Sequence, residues 1–124
     1  MIHLDTNFLV GLSQHALSGD ALLRRWLNEG RAVGTSSVAW AEFLCGPLAA
    51  GAASAVQSVV GNPVPFTVED AARAAELFNA SGRRRGSLSD CMIAAVALRS
   101  KASLATRDVD HFAGFAEFGL HIAE

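Results

Sequence analysis

The sequence predicts a single α/β domain, a three-layer α/β/α sandwich around a mostly parallel sheet of four or five strands. Three observations carry that expectation. Short β-like runs alternate with longer segments of helical apolar periodicity along the whole chain, which is the pattern of strand–crossover–strand units. The 124 residues are the length of one domain and suffice to bury a core without disulfides. Apolar residues make up 51% and charged residues 18%, a composition that excludes a disordered chain. No repeat, low-complexity tract or linker divides residues 1–124.

Ile2 to Leu4 is an extended run that stops at Asp5-Thr6-Asn7. A helical pattern follows through Phe8, Leu9 and Leu12 and ends near Ser18-Gly19. Asp20 opens a second helix, with Leu23, Trp26 and Leu27 at helical spacing and Asn28-Glu29-Gly30 as its stop. Arg31 to Thr35 is β-like. Ser36 and Ser37 offer N-caps to a helix through Val38, Ala41, Leu44 and Cys45, which Gly46-Pro47 breaks. Ala49 to Val60 is helical, Gly61-Asn62-Pro63 is a turn, and Val64 to Phe66 is a short strand. Thr67-Val68-Glu69-Asp70 resembles a capping box and starts a long helix through Ala74, Leu77 and Phe78. Ser81 to Gly86 is a loop. Ser87-Leu88-Ser89-Asp90 opens an apolar helix through Ile93, Val96 and Leu98. Ser103 to Thr106 is a strand, Arg107 to Gly114 a loop or short helix, and Gly119 to Ala123 a last strand.

The net charge of −2 rules out a global basic field, so a nucleic-acid contact has to be local. Arg83, Arg84 and Arg85 are the candidate, because Arg85 stands only five residues before Asp90. Cys45 and Cys91 lie in apolar helical segments and read as small buried hydrophobes. The four histidines show no metal-ligand spacing and read as surface or satisfied core residues. Met1-Ile2-His3-Leu4-Asp5 has no basic segment, which argues against a signal peptide. No apolar run reaches the roughly 18 residues that span a bilayer, so no membrane partner is expected and the expected compartment is the cytoplasm.

The chemistry lies in acids. In open α/β sheets the ligand site is beyond the carboxyl ends of the strands. Asp5 ends the first strand, Asp108 follows the strand ending at Thr106, and Glu42 and Asp90 lie early in helices that follow loops. Four carboxylates gathered there repel: a pair about 4 Å apart costs roughly 1 kcal/mol in water and about 4 at an effective dielectric near 20. Either some are protonated or a divalent cation sits among them. Oxygen-only ligands suit a hard ion, Mg²⁺ or Mn²⁺, which can activate water for phosphodiester hydrolysis.

The motifs that carry these acids are similar to those of PIN domains. Met1-Ile-His-Leu-Asp-Thr-Asn-Phe-Leu-Val10, Ser36-Ser-Val-Ala-Trp-Ala-Glu-Phe43, Leu88-Ser-Asp-Cys-Met-Ile-Ala-Ala95 and Leu104-Ala-Thr-Arg-Asp-Val-Asp-His-Phe112 resemble the family's four motifs in order. Spacing and length resemble those of VapC-like toxins over essentially the whole chain. The resemblance implies a Mg²⁺- or Mn²⁺-dependent endoribonuclease with Asp5, Glu42, Asp90 and Asp108 as the acidic and metal-holding site. It further implies a supporting hydroxyl from Thr6 or Thr106, a homodimer, an RNA substrate and an inhibitory VapB-like antitoxin. Many relatives carry an acid directly before the phenylalanine of the fourth motif. This chain has His111 there, with Asp110 one place earlier.

Each acid also has a structural reading. Asp5 can be a helix cap, Asp90 the acidic member of a capping box after Ser87, Glu42 a solvated glutamate, and Asp108 and Asp110 loop acids. Four such accidents would all have to fall at family spacing. Two alternatives stand beside the toxin reading: a PIN nuclease of RNA processing, and a catalytically silent domain that only binds a partner. A phosphatase-like enzyme using Asp5 as nucleophile is disfavoured by Asn7 at the place of a second aspartate.

Overall fold

A computed structural model describes residues 1–14, 17–81 and 88–124. The elements run β1 (Ile2–Leu4), α1 (Thr6–Ser13), α2 (Leu17–Asn28), β2 (Val33–Thr35), α3 (Ser37–Cys45), α4 (Ala52–Val60), α5 (Val68–Ala80), α6 (Leu88–Arg99), β3 (Ser103–Ala105) and α7 (Val109–Ala113), then a 3₁₀ turn at Ala116–Phe118. The strands form a parallel sheet in the order β2-β1-β3. Leu4 stands opposite both Thr35 and Ala105, so the carboxyl ends of all three strands are level. Because β2 and β3 flank β1 on opposite sides, the chain reverses its winding direction at β1. The crevice for a ligand therefore opens just past Leu4.

Side chains alternate between the faces of a strand. Ile2, His3 and Leu4 are all buried, which means that helices cover both faces of β1. α5 packs along α6, while α1 meets α2, α3 and α4. Trp26 stacks on Phe8 with ring centroids 5.6 Å apart and ties α2 to α1. Its indole N–H donates to the Glu124 carbonyl at 3.1 Å.

The caps follow the local chemistry of the sequence. Ser36 Oγ accepts from the Ala39 amide, 3.1 Å, at the start of α3. At α5 the capping box is complete: Thr67 N–H donates to Asp70 Oδ2 at 2.9 Å, and Asp70 N–H donates to Thr67 Oγ1 at 3.2 Å. Asp70 then does a second job. Its other oxygen accepts from Arg99 Nε at 2.8 Å, which clamps the last turn of α6 to the first turn of α5. Burial alone would raise the Asp70 carboxyl, but hydrogen bonds from Arg99 and Thr67 carry it below its ordinary value.

Several expectations from the sequence need correction. Among the described residues the sheet has three strands, and the expected strands at Val64 to Phe66 and Gly119 to Ala123 shrink to single bridges, Ser36 with Val64 and Leu104 with Ile122. Val64 lies between Pro63 and Pro65, which lack the N–H groups a ladder needs. Ser18, Gly19 and Asp20 do not separate two helices, because α2 begins at Leu17. The helix expected from Ala49 starts at Ala52, after Gly51 takes a left-handed conformation with φ 81°. Both cysteines are free, but only Cys91 is buried; Cys45 is exposed in the last turn of α3.

The largest correction concerns His3. It is fully buried, and among the described residues neither ring nitrogen has a hydrogen-bond partner. It is therefore not a satisfied core residue. Burial lowers its pKa from 6.5 to about 4, with the N-terminal amine and Arg99 adding to the shift. The unfolded chain binds this proton more readily than the folded one, so His3 costs stability as pH falls from 6.5 towards 4. Replacing His3 with Leu is expected to remove an unpaired buried imidazole and that pH dependence together. The stability gap between H3L and the parent, read by urea unfolding, should widen by about 3 kcal/mol between pH 7 and pH 4. An unchanged gap would show that the imidazole is not held neutral.

Candidate functional site

Each acid of interest reaches the crevice by a different route. Asp5 follows β1 directly, its N–H bound to the Ala105 carbonyl at 3.0 Å, and it caps α1. Asp5 Oδ1 accepts from the Phe8 amide at 2.9 Å, so one carboxylate oxygen is fixed. Glu42 comes from the second turn of α3, which starts immediately after β2. Asp90 is in the first turn of α6. Asp108 lies three residues beyond β3, its N–H donating to Thr106 Oγ1 at 2.9 Å. All four line one cleft of about 210 Å³, together with Thr6, Asn7, Ser89 and His111.

Asp5 is the most constrained of them, with 3% of its surface exposed. Burial pushes its carboxyl up from 3.8 to about 6. Hydrogen bonds from Thr106 and the Phe8 amide pull the other way, and the charges of Asp108 and Asp90 add to the rise. Glu42 is exposed and doubly held: Thr6 Oγ1 donates to its Oε1 at 2.8 Å and Ser89 Oγ to its Oε2 at 3.2 Å. Asp108 Oδ2 accepts from Asn7 Nδ2 at 2.7 Å. His111 Nδ1 faces Asp90 Oδ2 across 3.7 Å.

The two hydroxyls expected at the site are both engaged, Thr6 with Glu42 and Thr106 with Asp5 and the Asp108 amide. Asp110 does not line this cleft but an adjoining hollow that shares Asp108 and His111 with it and includes Arg107, whose guanidinium lies against Gly11 of α1. Arg83, Arg84 and Arg85 lie outside the described residues. The sequence reading did not single out Asn7 or Ser89 as partners of the acids. The available signal was their position, Asn7 two residues after Asp5 and Ser89 immediately before Asp90.

The donor set suits a hard divalent cation in kind, since it is carboxylate oxygen from four places in the fold. In its present rotamers it is not closed. Among the described residues no three His, Cys, Asp or Glu side chains converge closely enough to chelate an ion. Glu42 and Asp108 are instead each turned towards neutral donors, Glu42 to Thr6 and Ser89 and Asp108 to Asn7.

A PIN domain profile matches residues 2–117. No curated protein matches the sequence. Among solved structures, the fold is similar to VapBC2 from Rickettsia felis bound to a DNA fragment from their promoter, with TM-score 0.77 and 21% identity over 99% of this chain and 98% of that one. It is also similar to a toxin–antitoxin complex from Klebsiella pneumoniae, with TM-score 0.74 and 22% identity over 92% of both chains. VapBC-1 from nontypeable Haemophilus influenzae gives TM-score 0.73 and 20% identity over 100% of this chain and 98% of that one. At these identities the likeness establishes the fold. The profile match over nearly the full length goes further: the chain belongs to the PIN domain family.

Proposed function

We propose that this PIN domain is a metal-dependent endoribonuclease acting as the toxin of a toxin–antitoxin pair. The observation that carries the reading is the gathering of Asp5, Glu42, Asp90 and Asp108 in one cleft, with the most buried of them pushed up to about 6. Buried like charges of this kind destabilise a fold that has no use for them. The cleft opens past the carboxyl ends of the strands, where α/β sheets hold ligands, and this supports the reading.

Asp5, Asp90 and Glu42 would hold a Mg²⁺ or Mn²⁺ ion directly or through water, with Asp108 holding the same ion or a second one. When bound, such an ion supplies Lewis-acid activation of water and neutralises charge developing on the phosphoryl group. The chain's own residues do the rest. The Phe8 amide and Thr106 fix the orientation of Asp5. Thr6 and Ser89 orient Glu42 at the cleft mouth, where its carboxylate can take a proton from an attacking water. Asn7 and the Thr106 hydroxyl set the position of Asp108. RNA is the proposed substrate, with Arg83, Arg84 and Arg85 proposed to contact its phosphates.

A VapB-like antitoxin is the proposed partner. The VapBC2 and toxin–antitoxin structures of similar fold support this, as does an apolar hollow of about 320 Å³ lined by Leu12, Leu23, Val56 and Val59. A homodimer and a cytoplasmic location complete the proposal. Among the described residues no helix is long and apolar enough to cross a membrane.

Asp5→Asn keeps the shape and the cap while removing one charge. It is expected to lower RNA cleavage by about 10²-fold or more. Cleavage at the parental rate would end the mechanism. The same variant has a second expected effect. The folded protein holds the Asp5 proton more tightly than the unfolded chain, so metal-free stability should fall as pH rises from about 4 through 6. D5N should lack that fall and gain up to about 3 kcal/mol at pH 7 in EDTA. A variant both less active and more stable is what a functional acid predicts, whereas for a purely structural cap, which Asn preserves, cleavage would stay at the parental rate. Finally, millimolar Mg²⁺ or Mn²⁺ should raise the melting temperature of the parent and leave D5N nearly unmoved, because an ion that binds only the folded state stabilises it. A parent melting curve indifferent to both ions counts against the acidic site.

A further inference from the structure

Gly11 has no local reason to stand in a helix. It lies buried inside α1, two residues before the helix ends. A glycine at such a position destabilises a helix relative to alanine. Arg107 fills the space: a Cβ on Gly11 would fall 2.5 Å from Arg107 Cζ and 3.0 Å from Nη1. The missing side chain is therefore a seat that lets a guanidinium lie against the backbone of α1. The root of Arg107 is held as well. The Asp108 amide that follows it donates to the hydroxyl of Thr106 that precedes it, at 2.9 Å.

The fold makes no use of this seated cation. Asp108 and Asp110 line the same hollow of about 340 Å³. Even so, among the described residues the Arg107 side chain makes no ion pair and no hydrogen bond. The residue is exposed, so its planar fork can reach an anion from outside. The hollow adjoins the acid cleft and shares Asp108 and His111 with it. An RNA strand with one phosphate at the cleft carries its next phosphate across an adjoining surface. Carboxylates repel that phosphate, and a guanidinium held among them reverses the sign locally.

We propose that Arg107, seated on Gly11, binds the RNA phosphate that flanks the one at the acid cleft. The inference rests on the ribonuclease reading above and names a residue that holds its substrate. Gly11 acts through Arg107: it fixes where the guanidinium stands and touches no substrate itself.

The test compares the whole chain with Arg107→Ala, Gly11→Ala and the double variant. The probe is a short fluorescein-labelled single-stranded RNA of mixed sequence. Binding is read by anisotropy in EDTA, apart from cleavage, and KM and kcat for cleavage are read in MgCl₂. Only the flexible end of Arg107 has to move for a Cβ at position 11, so G11A is expected to fold and to melt no lower than the parent. R107A and G11A should each lose about tenfold in RNA affinity, and the double variant no more than R107A, because both changes act on one guanidinium. The loss should fall in KM and not in kcat, since a flanking phosphate is bound equally before and during the reaction. R107A should also lower the slope of log Kd against log salt by about 0.7, the share of one phosphate contact to a single strand. Parental RNA affinity in R107A, with D5N still inactive, overturns the role of Arg107 and leaves the ribonuclease reading standing. Parental affinity in a folded G11A overturns the seat, and reduces Arg107 to a diffuse surface charge. A parent that neither binds nor cleaves the probe overturns both readings together.

Discussion

The structure turns on the crowding of carboxylates at the carboxyl edge of β1. Asp5 cannot move away, because its backbone is fixed to Ala105 and one side-chain oxygen is fixed to the amide of Phe8. The charge of Asp5 must be tolerated where it stands, next to the charges of Asp90 and Asp108. The fold answers in two ways. The carboxyl holds its proton to a higher pH than usual, and the neighbouring acids are turned towards neutral donors, Glu42 to Thr6 and Ser89, Asp108 to Asn7. A cation bound as proposed would reverse both responses. An ion offers more to these oxygens than hydroxyls and an amide do, so the same groups that disperse the acids also hold them within reach of one another.

A different acid shows what burial does when a partner is built in. Asp70 is also closed to solvent, though less deeply set than Asp5, and Arg99 and Thr67 hold its carboxyl below its ordinary value. Asp70 closes a clamp between α5 and α6 through a cation, whereas the charges that act on Asp5 are those of Asp108 and Asp90. His3 is a third case, an imidazole kept neutral in the core with no partner among the described residues. His3 and Asp5 push the stability of the metal-free protein in opposite directions over the same pH range. The parent curve alone would therefore hide both, and only single variants separate them.

Where the sequence reading went astray, the cause was non-local. Ser18 and Gly19 have the local chemistry of a stop, yet α2 continues through them. Local propensity is worth less than the burial of Leu23 and Trp26 and the stacking of Trp26 on Phe8 of α1. Val64 and Ile122 have strand-like neighbours in sequence but pair for only one bridge each, since a ladder needs partners and donors that composition does not count. His3 gives no warning in sequence: its burial depends on which helices cover β1.

The sequence by itself determined the elements and the candidates. Alternating short strands and amphipathic helices, the caps at Ser36 and Thr67, and acids placed at strand ends are local features, read from neighbours a few residues apart. It also set the order of motifs that marks the family. Tertiary structure alone decided that Asp5, Glu42, Asp90 and Asp108 share one cleft while Asp110 does not, that Asn7 and Ser89 hold two of those acids, and that His111 faces Asp90. The reason is that desolvation and charge repulsion act through space. They depend on distances between residues up to about a hundred positions apart, such as Asn7 and Asp108, and those distances exist only once the parallel sheet has aligned its three carboxyl ends.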